Sequence, residues 1–174
     1  MCPFMKDFLE TLSAYLDSLT ELNIRLLAAL REYQDLLVDG APGNIEKATP
    51  IVDRLTNEVR RLEEERRKFV DGIFSANGWT ESRNFSNIKA RVEAEGVSDD
   101  EAVAFERATR SRSNLIEILA QVDAQNTLNM TLVGQGLTFA EVSFRTLLGS
   151  MNKQDGYGPS KSSEEGPSFL DAQV

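Results

Sequence analysis

Apolar residues in the first part of the chain fall alternately three and four positions apart, at Met5, Leu9, Leu12, Leu16, Leu19, Leu26, Leu30, Tyr33 and Leu37, with Asn23 as the one polar residue on the seam. That spacing keeps all of them on one face of a helix, and it predicts a single amphipathic helix from about Phe4 to Val38. The turn chemistry of Asp39-Gly40-Ala41-Pro42-Gly43 ends it. A second seam follows through Ile45, Ala48, Val52, Leu55, Val59, Leu62, Phe69 and Ile73, with Arg66 as its one charge and Asn44 as the candidate N-cap. Pro50 lies off this seam, where it either kinks the helix or begins a new one capped by Thr49. So short a linker leaves two long helices as antiparallel neighbours, a hairpin over residues 4–75.

The pattern breaks after Ser75-Ala76-Asn77-Gly78. Trp79 opens a loop, and a short helix is predicted near Asn84 to Glu95, with Phe85, Ile88 and Val92 on its packing side and Gly96 at its end. Ser98-Asp99-Asp100-Glu101 has the spacing of a capping box, so a long helix should start there and run to about Met151. At 1.5 Å per residue it would reach roughly 80 Å, against roughly 50 Å for the first helix. It therefore either overhangs its neighbours or breaks, and Gly134 and Gly136 are the break points, each costing about 1 kcal/mol relative to alanine. From Asn152 onward the Ser/Glu/Gly-rich remainder offers too little apolar surface to offset ordering entropy. The reading is all-α: one helical domain over residues 1–151 (hairpin 4–75, connecting loop and short helix 76–97, long helix 98–151) and a flexible tail over 152–174.

Composition narrows the functions this fold can serve. Among 174 residues, 19 Lys and Arg face 28 Asp and Glu, for a net charge of −9. An acidic chain lacks the basic face that nucleic-acid phosphates require. There is no histidine, and the single cysteine is Cys2, which removes the commonest general base and the usual ligands of a transition-metal site. No glycine-rich phosphate loop occurs, so neither a cofactor nor a metal is expected. An all-helical enzyme that orients an anionic substrate with Arg25 and Arg66, as chorismate mutases do, is the one catalytic alternative. No apolar run approaches the roughly 18 residues of a membrane span, and the start lacks the pattern of a signal peptide, so the expected compartment is the cytoplasm. The mixed charges of Arg60-Arg61-Leu62-Glu63-Glu64-Glu65-Arg66-Arg67-Lys68 read as a solvated helix face, with a docking patch as the alternative.

The informative change comes along the last helix. Its first half is charged, through Arg107, Arg110, Arg112 and Glu117, whereas Asn126 to Asn152 holds only Glu141 and Arg145. Met130, Val133, Leu137, Ala140, Phe144, Leu147 and Met151 make one stripe, and Leu128, Leu132, Phe139 and Val142 supply apolar surface on another side. One stripe satisfies a bundle; two imply a second partner, either another polypeptide laid against the helix or a second copy of the chain. Asn126 and Asn129 at the start of this stretch either hold helix register by hydrogen bonding or touch the partner directly.

The order of these parts resembles the flagellar export chaperone family called FlgN. The resemblance rests on the leading amphipathic helix, the Asp39-Gly40 turn, Leu62-Glu63-Glu64-Glu65-Arg66-Arg67, the helix holding Asn126-Thr127-Leu128-Asn129, and Tyr157-Gly158-Pro159. It implies a cytoplasmic, non-enzymatic chaperone of type III secretion in flagellum biogenesis. Such a chaperone binds the C-terminal segments of hook-filament junction proteins, prevents their premature assembly and delivers them to the export gate. The client would lie on the region from Asn126 to Met151, and Tyr157 would dock at the gate. The alternative is a structural coiled-coil or bundle protein that self-associates through the same stripe.

Overall fold

A computed structural model of the chain describes residues 3–40, 42–94 and 98–154, and all its elements are helices: α1 Pro3–Asp39, α2 Pro42–Ala76, α3 Phe85–Ala94 and α4 Asp99–Gln154. No strand occurs among the described residues. The expected all-α class is therefore observed. The chain divides into two compact units, Met1–Gly134 and Gln135–Val174.

The hairpin turn is tighter than the sequence suggests. Gly40 closes α1 at φ 63°, a left-handed conformation that costs glycine nothing. α2 then starts at Pro42 rather than behind Asn44, because a first-turn proline gives up an N–H that has no helical partner anyway. Pro50 neither ends nor restarts α2. Its ring withholds one backbone bond, but the helix continues, and the Thr49 hydroxyl donates to the Ile45 carbonyl at 2.9 Å instead of capping a new element.

Two hydrophobic clusters hold the first unit together. In the first, Met5, Phe8, Leu9, Leu12 and Leu16 of α1 meet Val70 and Phe74 of α2. In the second, Leu26 and Leu30 meet Leu55, flanked by Val52 and Val59. The start of α1 thus packs on the end of α2 and the reverse, so the hairpin is antiparallel. Ala104 and Ala108 of α4 enter the first cluster and Val122 the second, so α4 runs parallel to α1. Polar pairs follow the same register: Lys6 with Asp100 at 3.0 Å, Arg107 with Asp17 at 3.5 Å, and Gln125 with Gln34 at 2.6 Å. α3 covers the first cluster with Ile88 and Val92. Trp79 packs edge-on against Phe74 at 5.2 Å, with the Arg91 guanidinium over its ring. Asn23 is tolerated on the buried seam because its amide donates to the Leu19 carbonyl at 2.8 Å.

Local capping sets the ends of the later helices. The Asn84 side chain accepts the Asn87 backbone N–H at 2.8 Å ahead of α3. At α4 the capping box forms in full. The Ser98 backbone N–H donates to the Glu101 carboxylate at 3.0 Å, and the Glu101 N–H donates to the Ser98 hydroxyl at 3.4 Å. The donors on Ser98, backbone first and hydroxyl second, hold the Glu101 carboxyl below its ordinary value. α4 then passes through Gly134 and Gly136 without a break. The Gly96 stop and the tail beyond residue 154 lie outside the described residues.

Arg66, the charge on the α2 seam, is matched by an acid one turn earlier. Its Nε and Nη2 donate to the two Glu63 oxygens at 2.7 Å each, and Arg67 Nε donates to Glu63 at 3.0 Å. The Arg66 bond, opposed by burial and helped by Arg67, lowers the Glu63 carboxyl from its usual range. A depressed folded-state value makes the ionised carboxylate a stabilising group above its unfolded value of about 4.3, and that contribution is lost as pH falls through the folded value. Urea-unfolding midpoints measured against pH should therefore differ most between wild type and Glu63→Gln near neutrality. The difference should shrink as pH drops below about 4; a constant gap would mean the ion pair has no titrating contribution.

Candidate functional site

At the hairpin-turn end of the first unit, α1, α2 and α4 leave a cleft of about 300 Å³. Leu30 and Tyr33 of α1 and Thr49, Val52 and Asp53 of α2 line one side; Asn126, Asn129, Met130 and Val133 of α4 line the other. Three of these four α4 positions, Asn126, Met130 and Val133, are exposed at the cleft. Asn129 is different: it is 3% exposed. Its Nδ2 donates to the Leu30 backbone carbonyl at 2.8 Å, and its Oδ1 accepts from Gln125 Nε2 at 3.2 Å. Gln125 Nε2 also reaches Gln34 on α1 at 2.6 Å. A buried amide satisfied on both sides ties α4 to α1 and fixes the register that shapes the cleft.

In the second unit the helical segment from Gln135 carries apolar side chains with little cover. Phe139 is 74% and Phe144 62% exposed, and Leu137, Ala140 and Val142 are exposed as well. Glu141 and Arg145 pair with each other at 2.6 Å, one turn apart. Large aromatic side chains left in water are the opposite of what burial favours. Leu147 and Met151 continue the helical backbone, but their side chains lie outside the described residues, as does Tyr157.

The cleft is therefore built from α4 residues that the sequence pattern singles out together with Leu30, Tyr33 and Val52, which it assigns only to the seams, Thr49, which it offers only as a cap, and Asp53, which it does not mark. Tyr33 and Val52 belong to regular apolar spacings, and nothing in one dimension marks the point at which a seam stops being covered.

The FlgN protein family matches residues 5–165, which is most of the chain. The chain belongs to the FlgN family. No curated protein and no solved structure matches it significantly. FlgN membership supports a flagellar export chaperone role and makes flagellar export substrates the class of partner. A chaperone family fits a chain without catalytic activity. The two arginines of the mutase alternative are differently placed, with Arg25 exposed and Arg66 bound to Glu63. No helix among the described residues is long and apolar enough to cross a membrane.

Proposed function

We propose that this FlgN-family protein binds the C-terminal segments of hook-filament junction proteins in the cytoplasm, keeps them from assembling early, and delivers them to the flagellar type III export gate. The exposed apolar side chains of α4, from Met130 through Phe144, carry the reading. A soluble helix gains nothing from presenting Leu137, Phe139 and Phe144 to water unless another chain covers them. Asn126, Met130 and Val133 contribute the wall of the cleft, Asn129 holds that wall in register, and Leu137, Ala140, Phe144, Leu147 and Met151 extend the client-binding set. Burying several of these groups at about 1.5 to 3 kcal/mol each exceeds the roughly 2 to 5 kcal/mol needed to order a disordered client.

Light scattering of the purified protein with and without a junction-protein C-terminal peptide tests the proposal. A one-to-one complex is expected. A stable homodimer that ignores the peptide would instead assign the same residues to self-association.

Tyr157 is proposed as the export-gate contact, on the strength of its match to the family's tail motif. An aromatic side chain with few rotatable bonds is an efficient anchor in a Gly-flanked segment. Tyr157→Ala should leave peptide affinity unchanged while reducing secretion of the client and binding to the isolated gate component. Normal secretion by the variant would remove the role.

A further inference from the structure

A second cleft lies away from the α4 residues assigned to the client. It has a volume of about 320 Å³ and is bounded by α1, α2, the α2–α3 loop, α3 and α4, with Leu12 and Leu16 among its apolar lining. Arg66, Arg83 and Arg112 line it, and Glu63 is the one carboxylate among the lining residues. With Arg67, which pairs with Glu63, and Asp71, which pairs with Arg83, arginines outnumber carboxylates four to two in a chain whose net charge is −9.

Arg112 is the decisive group. Its guanidinium lies over the Phe85 ring at 5.3 Å, and no carboxylate pairs with it among the described residues. A guanidinium held over a ring face and paired with no carboxylate still has N–H donors to offer, which suits two-point binding of a carboxylate. Arg66 and Arg83, by contrast, are engaged by Glu63 and Asp71. Beside Arg112 on the same helix, Ile116 is 49% and Leu119 43% exposed, and both line the cleft.

We infer that this cleft docks a two-turn acidic amphipathic helix of a partner polypeptide, with apolar side chains against Ile116 and Leu119 and a carboxylate on Arg112. The length follows from the lining: Arg112 to Leu119 spans roughly 10 Å of helix, or two turns. Ile116 and Leu119 line the cleft and are still exposed, so a helix covers more of their surface than a small carboxylate held in the cavity. Charge supplies the selection, since the surplus of guanidiniums over carboxylates, with Arg112 unpaired among the described residues, disfavours a basic segment. The inference stands apart from the client reading, because it uses none of the residues from Asn126 onward.

The test uses the full chain and two fluorescein-labelled helical peptides, one with leucines on one face flanked by glutamates, the other its twin with lysine at every glutamate. Anisotropy titrations should show the glutamate peptide binding at least about tenfold more tightly than the twin. Arg112→Glu should reverse that preference, and Ile116→Asp should weaken the glutamate peptide by a similar factor, with circular dichroism showing both variants folded. Phe144→Asp should leave the glutamate peptide's affinity unchanged, which separates this site from the client surface. Equal binding of the two peptides by the wild type, an unreversed preference in Arg112→Glu, or full displacement by octanoate at the peptide's own concentration would overturn the proposal.

Discussion

Phe144→Asp and Leu137→Asp are each expected to abolish binding of a junction-protein C-terminal peptide while leaving the helical signal and the unfolding midpoint of the protein unchanged. Both side chains are exposed, so neither substitution opens a cavity, and surface changes of this kind alter stability by about 0.5 kcal/mol or less. The cost falls on the complex instead. Each variant forfeits about 1.5 to 3 kcal/mol of apolar burial and also brings a carboxylate into a surface that the client would dehydrate. Together these weaken binding by roughly 100-fold or more, at about 1.4 kcal/mol for each factor of ten. Calorimetric titration of the peptide beside thermal unfolding of the free variant reads both quantities. Normal binding by either variant would show that these exposed residues are not the client surface, and loss of the fold would show that they are structural.

That separation of binding from folding depends on features that differ in how far they can be read from one dimension. Helix periodicity, the Ser98–Glu101 capping box and the end of α1 at Gly40 are local, since each depends on residues within about one turn of each other. They were accordingly legible. The start of α2 was less so, because Pro42 and Asn44 are both acceptable helix openers and only the geometry after Gly40 chooses between them. Asn129 shows where periodicity stops being informative. A polar residue on an apolar stripe is consistent with a partner contact and with a register bond, and the Leu30 carbonyl that it meets is 99 residues away in the chain. The same limit hid the other wall of the cleft, which needs three helices to be placed, and the Arg112 guanidinium over Phe85, which needs two. The stripe itself was visible because charge is missing from it, and a missing charge can be counted without a fold.

Phe74→Ala is expected to have the largest effect on stability, a loss of about 3 to 5 kcal/mol in urea unfolding. The ring is fully buried, and it touches Trp79 as well as the residues that join α1, α2, α3 and α4 in the first cluster. Removing it costs the transfer free energy of the ring and leaves a cavity that helices fixed by Phe8, Leu9 and Leu12 can only partly close. Against a total stability of about 5 to 15 kcal/mol for a domain, such a loss leaves the variant marginal at ambient temperature. Ile24→Ala, at an exposed position on α1, is the matched control and should shift the midpoint little. The cleft at the turn lies at the other end of the hairpin, among Leu30, Val52 and Val133, and shares no lining residue with the Phe74 cluster. Peptide affinity per folded molecule should therefore survive in Phe74→Ala under conditions where the variant remains folded. A parallel loss of affinity would mean that the cleft at the turn depends on the packing of the whole unit, and that binding and stability cannot be varied independently in this bundle.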